Sequence, residues 1–468
     1  MARYFWSLRG VGASLVAAAL LAGCASVPPV DDMLTETNGA PPHIVGAGGP
    51  LSSAQTHAVL ARLEVQSKGS DILARHLAIE QEVAGVPLVT GNRTHLLQDG
   101  PDTFRAMFAA IKSAKSHIYL EYYIFENVAS DGERLADLLI AKRQAGVDVD
   151  IIYDSYGSID TPSAFLDRLR AAGVVLLEFH PVNPLKAKDG YALNERDHRK
   201  ILVVDGTTAI IGGVNLYTVY QPHPHSRLVA SDGDENPDTW HDTDLQIDGP
   251  AVKQVEQVFL DHWVAQHGPP ITAPSLLPSP PSAPGNEIVR IIGSDHEDTI
   301  PRYYATLLSA IRSAERTIWI TTAYFVPTED EMHDLEDAAR RGVDVRLLVP
   351  GKSDSSLALA MGHADYGALL KAGVKIFDMQ DGMLHSKTAV IDGVWSTIGS
   401  SNFDHRSILF NDEVDAVVLG RDTAQQLESV FEKNEATLAR PVTLAQWEDR
   451  PLGERLREIY ARAVENLL

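Results

Sequence analysis

Short apolar runs alternate with longer amphipathic stretches along the chain, and the same order occurs twice. Ala110-Ile111-Lys112-Ser113-Ala114-Lys115 leads into Ile118-Tyr119-Leu120, and Ala310-Ile311-Arg312-Ser313-Ala314-Glu315 leads into Ile318-Trp319-Ile320, an offset of 200 residues (110 to 310). Further on, Ala145-Gly146-Val147-Asp148-Val149 matches Arg341-Gly342-Val343-Asp344-Val345, and Ala172-Gly173-Val174 matches Ala372-Gly373-Val374. Each half reads helix, buried strand, helix, buried strand, helix, strand. That alternation predicts an α/β layer fold with short right-handed crossovers. A repeat this long indicates a duplicated domain, not a solenoid.

The pattern places the first half at 94–268 and the second at 287–441. Between them, 269–286 is a Pro-rich linker (ITAPSLLPSPPSAPG). Residues 24–51, rich in Pro, Gly, Ser and Thr, read as a flexible tether. A helical region follows at 52–93, with Val59, Leu60 and Leu63 at helical spacing. The last stretch, 442–468, reads as a charged amphipathic helix.

Residues 1–23 read as a targeting segment. Arg3 and Arg9 precede an apolar run, Val11 to Ala22, that is too short to span a bilayer. The run ends Leu21-Ala22-Gly23-Cys24, which resembles the lipobox of bacterial lipoproteins. The resemblance implies cleavage before Cys24 and acylation of that residue. Ala25 in place of an Asp implies sorting to the outer membrane, facing the periplasm. Two or more acyl chains would hold the chain stably at a membrane. Cys24 is the sole cysteine, so no intrachain disulfide can form.

Composition is that of a globular protein, with 44% hydrophobic and 22% charged residues. The net charge of −23 argues against broad attraction to nucleic acid, which needs basic surface. It leaves room for a small basic pocket.

One motif occurs in both halves. His198-Arg199-Lys200 is followed by Asp205-Gly206 and then Gly212-Gly213-Val214-Asn215. His385-Ser386-Lys387 is followed by Asp392-Gly393 and then Gly399-Ser400-Ser401-Asn402. His and Asn are 17 residues apart in each (198 to 215, 385 to 402). His and Lys at i and i+2 share one side of a strand. Asp-Gly is a favoured two-residue hairpin turn, so Asp205 and Asp392 read as turn scaffold within the motif. The returning strand carries the Asn back beside the His. Lys supplies charge and three donors for an anionic phosphodiester, and Asn adds a neutral donor. Imidazole can attack phosphorus or protonate a leaving oxygen.

These residues resemble the HKD motif of the phospholipase D superfamily, and the resemblance covers both halves. Ser400 to Ser407 with Asn411-Asp412-Glu413, and Asp242 to Val252, are similar to the bacterial cardiolipin synthase subgroup. The resemblance implies two duplicated domains, each a mixed sheet flanked by helices, packed about a pseudo-twofold axis with one shared active site. It implies a two-step transfer through a phosphohistidine, with no metal or other cofactor. His198 would be the nucleophile and His385 the acid/base, with Lys200, Asn215, Lys387 and Asn402 holding phosphate. A downstream acid would orient each imidazole: Asp242 is expected to serve His198, and Glu413 to serve His385. An insertion at about 221–240, with His223 and His225, lacks compact metal-ligand spacing and is expected to be a surface loop over the cleft.

The function implied is phosphatidyl transfer making cardiolipin from phosphatidylglycerol and a second phospholipid. Hydrolytic phospholipase D, with water as acceptor, is the alternative. A nuclease of the same fold is disfavoured by the charge, and a tethered binding protein with a dead site by the intact residues of both motifs.

Overall fold

The computed structural model describes residues 27–31, 34, 42–67, 70, 72–73, 76–77, 83–186, 192–221, 240–271 and 284–463. Cys24, the targeting segment, and most of the linker and the insertion lie outside them.

The two halves repeat one sheet. In the first, the strands are β2 (Leu88–Gln98), β3 (His117–Tyr122), β4 (Asp148–Asp154), β5 (Val175–Phe179), β6 (Lys200–Val204), β7 (Thr208–Gly212) and β8 (Thr243–Asp248), preceded by β1 (Ile44–Gly46). In the second they are β9 (Glu287–Ser294), β10 (Thr317–Thr321), β11 (Asp344–Pro350), β12 (Lys375–Met379), β13 (Thr388–Ile391), β14 (Trp395–Gly399) and β15 (Asn411–Leu419). Strand β3 is parallel to β4, and β4 to β5, while β6 is antiparallel to both β3 and β7, and β8 lies between β7 and β2. The second half has the same order, β12-β11-β10-β13-β14-β15-β9. Antiparallel pairing of β2 with β9 joins the halves, so these seven strands of each half run in mirrored order, and an extra edge strand, Ala439–Val442, adds to β12 in the second. This is the expected pseudo-twofold arrangement of two duplicated α/β domains.

The strands are apolar nearly throughout because both faces are covered. Helices Asp99–Ser113, Leu135–Gln144 and Ser163–Ala171 pack Phe104, Leu139 and Phe165 onto the outer face of the first sheet. Helices Arg302–Ser313, Glu329–Arg340 and Ser356–Ala372 do the same for the second with Ile311, Leu335 and Leu369. A third core lies between the halves, where Ile201, Val203 and Ile211 meet Ile291, Val390, Val414 and Ala416.

The structure departs from the sequence expectation at the edges. The described part of the segment read as a tether is folded: Val30 and Ile44 are buried, and β1 runs parallel to β2. Its apolar residues are too sparse to show a period, so they register only once a core exists for them. Strand β2 crosses the boundary placed at residue 94. Ser52 and Gln55 form a reciprocal cap that opens the helix Ser53–Gln66. The expected C-terminal helix is two, Leu444–Glu448 and Leu452–Ala463. Pro451 lacks an N–H and disfavours helical backbone at Arg450 before it.

The motif aspartates sit at the far end of the β6–β7 and β13–β14 hairpins from the histidines. Asp205 and Asp392 both have φ of 52°, followed by Gly206 and Gly393 at 61° and 65°. The Asp205 carboxylate accepts from the backbone N–H of Lys115, Ser116 and His117 at 2.8–2.9 Å. Asp392 accepts from Glu315, Arg316 and Thr317 at 2.8–3.0 Å. Each aspartate therefore pins the start of the neighbouring strand and takes no part at the reacting centre. Charge-assisted hydrogen bonds of this kind contribute about 1.5–3 kcal/mol. Asp205→Ala should lower unfolding free energy by about 2–3 kcal/mol in denaturant titrations, with turnover per folded molecule kept. A variant of full stability but no turnover would place Asp205 in the chemistry instead.

Candidate active site

The hairpins deliver the histidines to the interface between halves. Lys200 pairs with Tyr122 at the C-terminal end of β3, so His198 and Lys200 emerge where three parallel strands end. His385 and Lys387 occupy the equivalent place beside Thr321. Two short pairings lock the interface: Arg196–Asp197 runs parallel to the start of β15, and Trp240–His241 parallel to Met383–Leu384. The backbone N–H of His198 donates to Asp412 O, and that of His385 to His241 O.

The orienting carboxylates are crossed relative to the sequence expectation. Glu413 lies 3.0 Å from His198 Nδ1, and Asp242 lies 2.7 Å from His385 Nδ1. Each half thus supplies the carboxylate for the other half's imidazole. The reason is strand direction. Asp242 and Glu413 lie at the starts of strands that are two places from the hairpin's first strand in their own sheets, but each abuts the opposite half's motif across the short interface pairings. With Nδ1 engaged, Nε2 of each ring is the nitrogen presented to substrate. His198, Lys200, Asp242, His385, Lys387 and Glu413 are all buried and are brought to one centre. A cavity of about 1380 Å³ is lined by Arg199, His262, Asp412 and neighbours and by neither motif histidine.

The chain matches the family described as "Cardiolipin synthase, PLD-like domain" over residues 107–220 and 307–434. It is 35% identical to a cardiolipin synthase of Geobacillus thermodenitrificans, covering 82% of this chain and 74% of that one. It is 33% identical to cardiolipin synthase 2 of Bacillus anthracis, covering 80% and 70%. The chain belongs to the phospholipase D-like cardiolipin synthase family. A phosphatidylserine synthase from Haemophilus influenzae has the same fold, with a TM-score of 0.57 at 14% identity, over 83% of this chain and 99% of that one. The chain is a phosphatidyltransferase-type member of the superfamily.

Two hydroxyl groups support the carboxylates, and they come from different places in the two halves. Ser400 Oγ donates to Glu413 Oε2 at 2.5 Å, and Asn411 Nδ2 to Oε1 at 3.1 Å. Gly213 stands where Ser400 stands in the repeat, and a Cβ there would lie 2.1 Å from Asp242 Oδ1. Asp242 instead accepts from Tyr220 Oη at 2.8 Å, and that hydroxyl also lies 3.1 Å from His385 Nδ1. Tyr220 follows the motif asparagine by five residues, and no spacing rule marks it. Tyr123 stacks edge-on to His198 at 5.3 Å, and Trp240 lies 5.2 Å from His385. Arg199 Nε donates to Glu413 O, fastening the first motif to the second half.

Asn215 and Asn402 are buried, as a phosphate-holding role requires. Asn215 Oδ1 accepts from Ile124 N–H, which leaves its Nδ2 to donate. Asn402 is fixed through its backbone N–H, which donates to Ser407 Oγ, and its Oδ1 is buried without a partner.

Burial dominates the electrostatics. It pushes the His198 imidazole down to about 4, aided by Lys200 and Lys387 and opposed by Glu413. Burial and Lys387 lower His385, against Asp242. Burial brings Lys200 down to about 7 and Lys387 down to about 8. A bound phosphodiester returns charge to both lysines, since an anion in a desolvated site favours their charged forms. Burial raises the carboxyls of Asp242 and Glu413, but the imidazoles and lysines outweigh it and hold both below the usual range.

The crossing can be read from titration. A carboxylate raises the pKa of the imidazole it contacts. Glu413→Gln should lower the pKa of His198 and leave His385 where it was, and Asp242→Asn should do the converse. Nitrogen-15 spectra of histidine-labelled protein report both. The reverse assignment would restore the pairing expected from repeat alignment.

Proposed function

We propose that this chain makes cardiolipin by transferring a phosphatidyl group to the terminal hydroxyl of phosphatidylglycerol. The observation that supports the reading best is the pair of imidazoles, each anchored at Nδ1 by a carboxylate from the opposite half and flanked by two lysines. The names of the relatives supply the substrate class.

In the first step, His198 Nε2 attacks the donor's phosphorus. Its lowered pKa leaves the lone pair free at neutral pH. A P–N bond forms and the P–O bond to the headgroup alcohol breaks, and His385, charged beside Asp242 once the anionic phosphodiester is bound, gives that oxygen its Nε2 proton. In the second step, His385 takes the proton of the acceptor hydroxyl, whose oxygen attacks phosphorus and releases His198. With phosphatidylglycerol as donor and acceptor, the products are cardiolipin and glycerol. Lys200, Lys387, Asn215 and Asn402 hold the phosphoryl oxygens as charge grows on them. Glu413 and Asp242 fix the tautomers and stabilise the imidazolium forms.

Purified protein in vesicles of labelled phosphatidylglycerol should yield cardiolipin. His198→Ala and His385→Ala should each cost at least about 10³ in rate, because each acts in both steps. Phosphatidic acid without cardiolipin would select the hydrolytic reading. Undiminished turnover in either variant would remove the histidines from the chemistry.

We further propose that Cys24 carries acyl chains that hold the chain on the periplasmic side of a membrane, with Ala25 directing it to the outer one. No helix among the described residues is long and apolar enough to cross a membrane. Cys24→Ser should abolish incorporation of radiolabelled palmitate and shift the protein into the wash of salt-treated membranes. Labelling that survives the substitution would rule the anchor out.

A further inference from the structure

Seven large hydrophobic side chains are exposed among the described residues, and four of them belong to two adjacent loops. Tyr156 and Ile159, 53% and 61% exposed, lie in the loop that follows β4. Leu185 and Leu193, 93% and 47% exposed, lie in the segment between β5 and Arg196. Isolated exposed apolar residues are ordinary, but a cluster of them at one place marks a contact surface.

Their place is the rim of the active site. The two loops leave neighbouring parallel strands, with Asp154 paired to Phe179. Ser155 N–H donates to Phe179 O, and Val182 N–H to Ser155 Oγ at 3.1 Å, so the loops are tied at their bases. The Asp154 carboxylate serves loop and site together. Its Oδ1 accepts from the N–H of Tyr156 and Gly157 at 2.8 Å, and its Oδ2 from the N–H of Asp197, beside His198, at 3.1 Å. Gly157 lies against the Tyr123 ring, where a Cβ would come within 2.7 Å, and that ring contacts His198. Leu193 is five residues before His198, with Arg406 holding the intervening Asn194 from the second half.

The scaffold does not demand this apolarity. The equivalent loops of the second half, 351–355 (GKSDS) and 380–382 (QDG), carry no large apolar residue. The rim also carries few charged side chains. Its described residues, 155–162, 180–186 and 192–195, hold three charged side chains, Lys186, Asp160 and Glu195. A rim with few charged groups to desolvate suits a surface that leaves water for the headgroup region of a bilayer.

We propose that these two loops seat the first half of the molecule in the surface of a phospholipid bilayer, so that the mouth of the site opens at the depth of the lipid phosphates. The inference rests on the lipid substrate proposed above and adds to it an orientation and a set of contact residues. Tyr156, Ile159, Leu185 and Leu193 enter the interface, while the second half's polar rim stays in water. A lipid need not be extracted into solution to reach His198.

The test compares the full chain with Tyr156→Ser/Ile159→Ser and Leu185→Ser/Leu193→Ser variants. Each is given phosphatidylglycerol in two forms: vesicles also containing phosphatidylethanolamine, and a short-chain form dissolved as monomers. Losing two interfacial apolar side chains should lower turnover on vesicles about tenfold or more. Turnover on the dissolved lipid should stay unchanged. Equal rates on vesicles, or an equal fall on both forms, would overturn the proposal. Vesicle sedimentation in the Cys24→Ser background reads docking apart from catalysis. There the rim substitutions should weaken binding by a similar factor. Failure of Cys24→Ser protein with an intact rim to bind vesicles would also overturn it. Vesicle binding that depends on the rim, with no turnover of any phospholipid, would instead defeat the catalytic reading alone.

Discussion

Two carboxylate–imidazole hydrogen bonds that cross the boundary between the halves govern this structure. Neither half holds a complete site. Glu413 reaches His198 and Asp242 reaches His385 only when the two sheets are docked. The docking therefore has to be rigid, and the β2–β9 pairing and the shared core of Ile201, Val203, Val390 and Val414 make it so. A carboxylate deprived of its partner in this interior would be a buried, uncompensated charge, which is costly. The interface and the chemistry thus rely on the same few contacts.

The pseudo-symmetry holds for seven strands of each half and is broken by the edge strand Ala439–Val442 and in the detail of the site. Ser400 supports Glu413, whereas Gly213 leaves space for Asp242 and Tyr220 provides the hydroxyl from another turn of chain. Two otherwise equivalent imidazoles therefore have different surroundings. Such a difference favours one division of labour between the rings, one attacking and the other moving protons. The rim shows the same division, with apolar loops on the first half and polar ones on the second.

Much of this is written locally in the chain. The alternation of buried strands and amphipathic helices repeats with near-constant spacing, so the duplicated α/β architecture is visible without coordinates. Each His-x-Lys followed by Asp-Gly encodes a hairpin, and the positive φ of Asp205 and Asp392 agrees with that reading. The turn role of those aspartates follows from backbone preference, a property of neighbours in sequence. The folded part of 24–51 and the break at Pro451 were less legible. The first depends on a distant strand accepting Ile44. The second was masked by a helical period that continues across the proline.

The sequence by itself determined the two motifs, the buried strands that carry them and the hairpin turns that aim them. These depend on residues close together in the chain, where periodicity and turn chemistry act. Tertiary structure alone decided which carboxylate serves which histidine, that Tyr220 joins Asp242, and that Tyr156 and Leu193 share one rim. Overlaying the repeats pairs Asp242 with His198 because both lie in one half, but two sheets packed about a twofold axis bring each strand end to the other half's motif. Contacts between residues 143 and 215 positions apart are set by that packing, and no local pattern records it.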